Sequence, residues 1–146
     1  MFVAVLTTAA LLPTILPAAE PPVFTDRAGL AIRGFDPVAY FEEGKAVPGL
    51  EEFSFRWRDA EWRFASEASR DAFAGSPERY APQYGGFCAY AMSFGSRAPI
   101  DPEAWDIVEG RLFLNKSRGV RKDWLEDRDG NIERADGHWA HLAEDE

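Results

Sequence analysis

Phe53-Ser54-Phe55-Arg56-Trp57-Arg58-Asp59-Ala60-Glu61-Trp62-Arg63-Phe64 is the stretch that decides the fold. Phe53, Phe55 and Trp57 alternate with Ser54, Arg56 and Arg58, and beyond Asp59-Ala60 the pair Trp62 and Phe64 flanks Arg63. Strand side chains point to opposite faces in turn, so aromatics on one face and arginines on the other predict an antiparallel hairpin. Its turn is expected at Asp59-Ala60 and its aromatic face in the core. A second hairpin pattern runs through Trp105–Val108 and Arg111–Leu114, across Glu109-Gly110.

Outward from the first hairpin the signals are helical and short. Upstream, Leu30-Ala31-Ile32 reads as a brief strand and Gly34-Phe35 as a turn. Asp36-Pro37 has the form of a helix cap followed by proline at the first helical position, which starts a helix at Val38 that Gly44 ends. Downstream, Ser66 caps a helix running through Phe73 and closed by Gly75, and Ser76-Pro77 repeats the device for a turn carrying Tyr80. Tyr84-Gly85-Gly86 is a turn, Phe87 to Phe94 a short helix stopped by Gly95, and Asp101-Pro102 another turn. From Ser117 onward the pattern is helical. Val120, Trp124 and Leu125 form one apolar stripe, Ile132, Ala135, Trp139 and Leu142 a second, and the break falls near Asp129-Gly130. The sum is an α+β fold: a small single domain with two β-hairpins packed against short helices and a helical C-terminus.

Residues 1–19 carry no charged side chain, are broken by Pro13 and Pro17, and end in small residues. They read as a secretory signal peptide or, uncleaved, as an N-terminal anchor. Residues 20–28 read as a linker, 29–142 as the domain and 143–146 as an acidic tail. A protein so addressed is expected in the periplasm or outside the cell, on a membrane only if the segment stays attached.

The net charge of −9 disfavours nucleic acid and anionic lipid, and mildly favours cations or a basic partner. The same charge also serves plain solubility. The one cysteine, Cys88, excludes an internal disulfide and any Cys-rich zinc site, so the fold stands on its core alone.

Three phrases carry a resemblance. Ala31-Ile32-Arg33-Gly34-Phe35-Asp36-Pro37-Val38-Ala39-Tyr40-Phe41 comes first. Trp62-Arg63-Phe64-Ala65-Ser66-Glu67 with Arg70-Asp71-Ala72-Phe73 comes second. Pro77-Glu78-Arg79-Tyr80-Ala81-Pro82-Gln83-Tyr84-Gly85-Gly86-Phe87-Cys88-Ala89 comes third. In this order they resemble the YHS-domain family, over about residues 30–125. The resemblance implies a small metal-handling module of the kind found in copper and other metal transport systems. In those modules one cysteine follows the Asp-Pro-Val word and another a Tyr-Phe word. The corresponding positions here hold Ala39 and Ala65.

With those thiolates missing, the residues left to hold a metal are Cys88, Met92, His138 and His141. On a helix, Cys88 and Met92 at i and i+4 face the same way, and thiolate with thioether suits Cu(I). Against that, both residues suit an apolar core. His138 and His141, the only histidines, lie at i and i+3 on one helical face, where they suit Cu(II), Zn(II) or Ni(II), or equally stand solvated near a terminus. Asp36 reads as a cap rather than a working carboxylate, and Tyr80, Tyr84 and Tyr90 as core aromatics beside Cys88. No nucleophile elbow, phosphate loop or dinucleotide fingerprint is present.

Three functions are expected in descending order. The first is a periplasmic metal-binding accessory module, copper favoured. The second is a module for a small ligand or for a periplasmic or membrane protein, and the third a thiol enzyme using Cys88.

Overall fold

A computed structural model describes residues 2–15 and 21–144. The expected signal cleavage after Ala19 and the tail residues 145–146 lie outside the described residues. Residues 2–15 carry no regular structure and are exposed. Among the described residues no helix is long and apolar enough to cross a membrane.

The architecture is α+β. Strands β1 (Leu50–Trp57) and β2 (Ala60–Phe64) form one antiparallel pair, and β3 (Asp101–Val108) and β4 (Arg111–Asn115) a second, separate one. Around them lie α1 (Pro37–Glu42), α2 (Glu67–Gly75), α3 (Pro77–Tyr80), α4 (Ala89–Met92), α5 (Arg118–Glu126) and α6 (Arg128–Glu144).

Both hairpins turn on two residues in the left-handed region, which matches the right-handed twist of the strands they join. In the second these are Glu109 and Gly110, as the sequence predicts. In the first they are Arg58 and Asp59, with φ of 50° and 57°, so the expected turn at Asp59-Ala60 is one residue late. Ala60 instead pairs with Trp57 as the first residue of β2 and is fully buried.

A lone hairpin is marginal in water, so each needs a helix against its apolar face. Phe73 of α2 serves the first hairpin, its ring 4.9 Å from Trp62, 5.2 Å from Phe64, 5.7 Å from Trp57 and 6.2 Å from Phe55. The second hairpin is covered on both sides. Leu112 and Leu114 face the larger core cluster, while Phe113 joins the smaller one with Trp124 of α5 and Ala135 of α6.

Several local expectations are corrected. Leu30-Ala31-Ile32 is no strand: Leu30 and Ala31 form single bridges, and Ile32 and Arg33 turn at positive φ. The segment read as a linker is partly core, since Val23 and Phe24 pack inward and the Phe24 amide donates to the Gly85 carbonyl (2.9 Å). Ser76 forms no side-chain cap on α3; it stands just past the end of α2, its amide donating to the Phe73 carbonyl.

Phe87–Phe94 is helical only over Ala89–Met92. Cys88 is non-helical, with φ −55° and ψ 121°, its amide tied to the Ala98 carbonyl (3.0 Å) across the neighbouring loop. Asp101-Pro102 belongs to β3 rather than to a turn. The strand's register slips between Asp101 and Trp105, and Asp101 accepts the Glu103 amide locally (2.9 Å).

The C-terminal break lies at Asp127 rather than Asp129-Gly130. The Asp127 carboxylate accepts the Gly130 amide and packs where a Gly130 side chain would stand, so that glycine belongs inside the first turn of α6. Leu125, placed in the first stripe by sequence, is 41 % exposed, while its neighbour Trp124 is fully buried.

Candidate functional site

The candidate site is a cleft between α1 and α2, built around Asp36. This carboxylate is 1 % exposed, and among the described residues it forms no ion pair. Four donors satisfy it instead. Oδ1 accepts the amides of Val38 (2.8 Å) and Ala39 (3.4 Å), and Oδ2 accepts the amide of Ala65 (2.9 Å) and the hydroxyl of Ser69 (2.6 Å). A buried charge is tolerable when hydrogen bonds replace its water, and here the first turn of α1 supplies two of them. One side chain thus ties the start of α1 to the end of β2 and to the first turn of α2. Tyr40 fixes α1 from behind, its hydroxyl donating to the Pro102 carbonyl (2.8 Å).

The cleft beside this anchor measures about 450 Å³. Val38 and Ala39 form one wall, Ala65, Ala68 and Ala72 the other, with Ser66 and Ser69 between them and Glu42 and Glu43 at the mouth. Ala39 and Ala65 are the two positions at which the YHS resemblance expects cysteines. They are 26 residues apart in sequence, yet their amides meet on one carboxylate and both wall one cleft.

The four residues singled out as metal ligands lie beside and on α4 (Cys88 and Met92) and on α6 (His138 and His141). Cys88 is 1 % exposed and belongs to the larger core cluster, its thiol directed at Asn115 Oδ1 (3.5 Å). Met92 is fully buried in the smaller cluster. His138 and His141 are exposed on α6, and the His138 ring lies against Gly95, just past α4. Among the described residues no three His, Cys, Asp or Glu side chains group as metal ligands would.

Asn115 went unnoticed in the sequence because it closes the apolar run of β4. Fully buried, it takes the Tyr90 amide (3.0 Å) and the Cys88 thiol on one oxygen, and its Nδ2 has no partner among the described residues.

A second cleft of about 230 Å³ lies among Trp57, Arg58, Gln83, Tyr84 and Trp139. Its polar groups are already engaged. Arg58 lies over Trp57 (4.2 Å to the ring) and bonds Glu78 (3.1 Å). Gln83 holds Arg111, and Tyr84 donates to Asp136 (2.8 Å). Burial, with Asp136 beside it, keeps the Tyr84 hydroxyl protonated far above the usual tyrosine range.

No family model, curated protein or solved structure matches this chain. The case for a site therefore rests on its own geometry. The sequence did hold a signal for the α1–α2 cleft: Ala65, Ala68, Ser69 and Ala72 follow helical spacing, as do Ala39, Glu42 and Glu43. Which two helical faces oppose each other is a tertiary matter, and so the cleft was missed.

Proposed function

We propose that this chain is an exported binding module on a YHS-type scaffold, whose ligand site is the cleft between α1 and α2. The occupant is a small apolar group or side chain in place of a thiolate-bound metal. The supporting observation is that Ala39 and Ala65 wall the same cleft, as positions sharing one ligand must. A cleft of this size falls in the range of small-ligand sites, and methyl walls with a few polar groups are their usual chemistry.

The copper reading through Cys88 is the weaker one. A cation reaching that sulfur has to open the larger core cluster, in which Cys88 is 1 % exposed. A third role, as a thiol nucleophile, meets the same obstacle, since reactive thiols sit in accessible, electropositive surroundings.

The test is the double variant Ala39→Cys/Ala65→Cys, titrated with Cu(I) against a chromophoric competitor. Two thiols placed across the cleft are expected to bind one Cu(I) that the parent protein does not hold. A folded double variant with the parent's affinity would sink the YHS correspondence. Parent Cu(I) binding abolished by Cys88→Ala would instead restore the sulfur-centred reading.

A further inference from the structure

Accepting the α1–α2 cleft as the site, its chemistry narrows the occupant further. Its apolar lining is methyl-rich, from Val38, Ala39, Ala65, Ala68 and Ala72, with the Ser66 and Ser69 side chains between the two walls. The charge at the mouth is of one sign. Glu42 and Glu43 are exposed carboxylates, no lysine or arginine lines the cleft, and among the described residues neither glutamate forms an ion pair. The Asp36 carboxylate beneath is saturated by its four donors and is not available to a ligand. The cleft therefore offers apolar contact along its length and attraction for positive charge at one end. An anion meets both glutamates and the net charge of −9.

We infer that the cleft receives the side chain of a lysine presented by a basic segment of a partner protein. The four methylenes of lysine suit the methyl-rich lining, and its ammonium reaches the glutamates while remaining solvated. A partner segment fits better than a free amine. Ser66, Ala68, Glu42 and Glu43 are all exposed, so the mouth stays open unless a neighbouring backbone covers it. The acidic surface adds long-range attraction toward such a segment.

The experiment is a titration of the whole protein, followed by the methyl signals of Ala39, Ala65, Ala68 and Ala72. The probes are the peptides Gly-Gly-Lys-Gly-Gly and Gly-Gly-norleucine-Gly-Gly and the free amine n-pentylamine. Norleucine keeps the alkyl chain and removes the ammonium. The lysine peptide is expected to move the four methyl signals and to bind about threefold or more tightly than the norleucine peptide, the range for two exposed charge pairs. The variant Glu42→Gln/Glu43→Gln, whose fold is checked by circular dichroism, is expected to erase that preference.

Equal binding of the lysine and norleucine peptides would overturn the ammonium assignment and leave the cleft standing. Pentylamine binding as tightly as the lysine peptide would overturn the partner segment in favour of a free amine. Silence of all four methyls toward every probe would overturn the cleft reading itself.

Discussion

Asp36 and Cys88 each stand immediately before a short helix, and each is about 1 % exposed. Their surroundings are opposite. Asp36 is ionisable yet fully satisfied by four donors, and a cleft opens beside it. Cys88 is the residue whose chemistry draws the eye, yet it is sealed in the core, sharing a single amide oxygen with Tyr90. The Nδ2 of its partner Asn115 has no hydrogen bond among the described residues. An unusual residue type is thus a poor guide to a site, because a thiol packs as readily as a methyl. A buried carboxylate cannot pack so passively. It needs several donors converging on it, and the elements that bring them define a corner of the fold.

The contrast breaks most readily at Asp36. Asp36→Ala leaves the Ala65 amide and the Ser69 hydroxyl without their acceptor and strips the cap from α1. At about 1–3 kcal/mol for each buried unsatisfied group, the loss should reach about 3–5 kcal/mol in urea unfolding. That is a large share of a small domain's stability. A loss below about 1 kcal/mol would mean that Asp36 is ordinary surface chemistry.

Raising the pH tests Tyr40, which fixes α1 behind Asp36, and Tyr84, which donates to Asp136 in the second cleft. Burial holds the hydroxyls of Tyr40 and Tyr84 protonated far above their ordinary value, whereas the unfolded chain ionises near 10.0. The folded state therefore keeps their full contribution below that pH and loses it as the pH rises further. The loss is about 1.4 kcal/mol per pH unit at most for the more buried Tyr40. Tyrosinate absorbance and far-ultraviolet circular dichroism should show these two hydroxyls ionising only as the chain unfolds. Ionisation of both in an intact fold would contradict their burial.

At Cys88 the expected effects are smaller. Cys88→Ala removes one buried sulfur and should cost about 1 kcal/mol. In the native protein the thiol should resist iodoacetamide and become reactive on adding denaturant. Fast native alkylation would return Cys88 to the list of working residues. The smallest effect belongs to His138→Gln, which should leave stability within about 0.5 kcal/mol, as at other exposed positions. A larger loss would make the contact with Gly95 a structural joint.

Much of the fold was legible along the chain. Where a signal is local, it survived: period-two aromatics in β1 and β2, the Asp36-Pro37 and Ser66 caps, and the stripe of Ile132, Ala135, Trp139 and Leu142. Where a backbone group is satisfied by a distant segment, the local signal misled. The Cys88 amide goes to Ala98, so the helix expected over 87–94 shrank to one turn. The cleft was legible only as two unconnected runs of small and acidic residues at helical spacing.

Sequence alone determined the Asp36 and Ser66 caps, the alternation in the two hairpins and most of the buried aromatics, because those properties follow from steric preference and spacing within a few residues. Only the tertiary structure decided that Ala39 and Ala65 face one cleft and that the thiol is enclosed. Such proximity depends on how distant elements share a core, and no local preference along the chain encodes it.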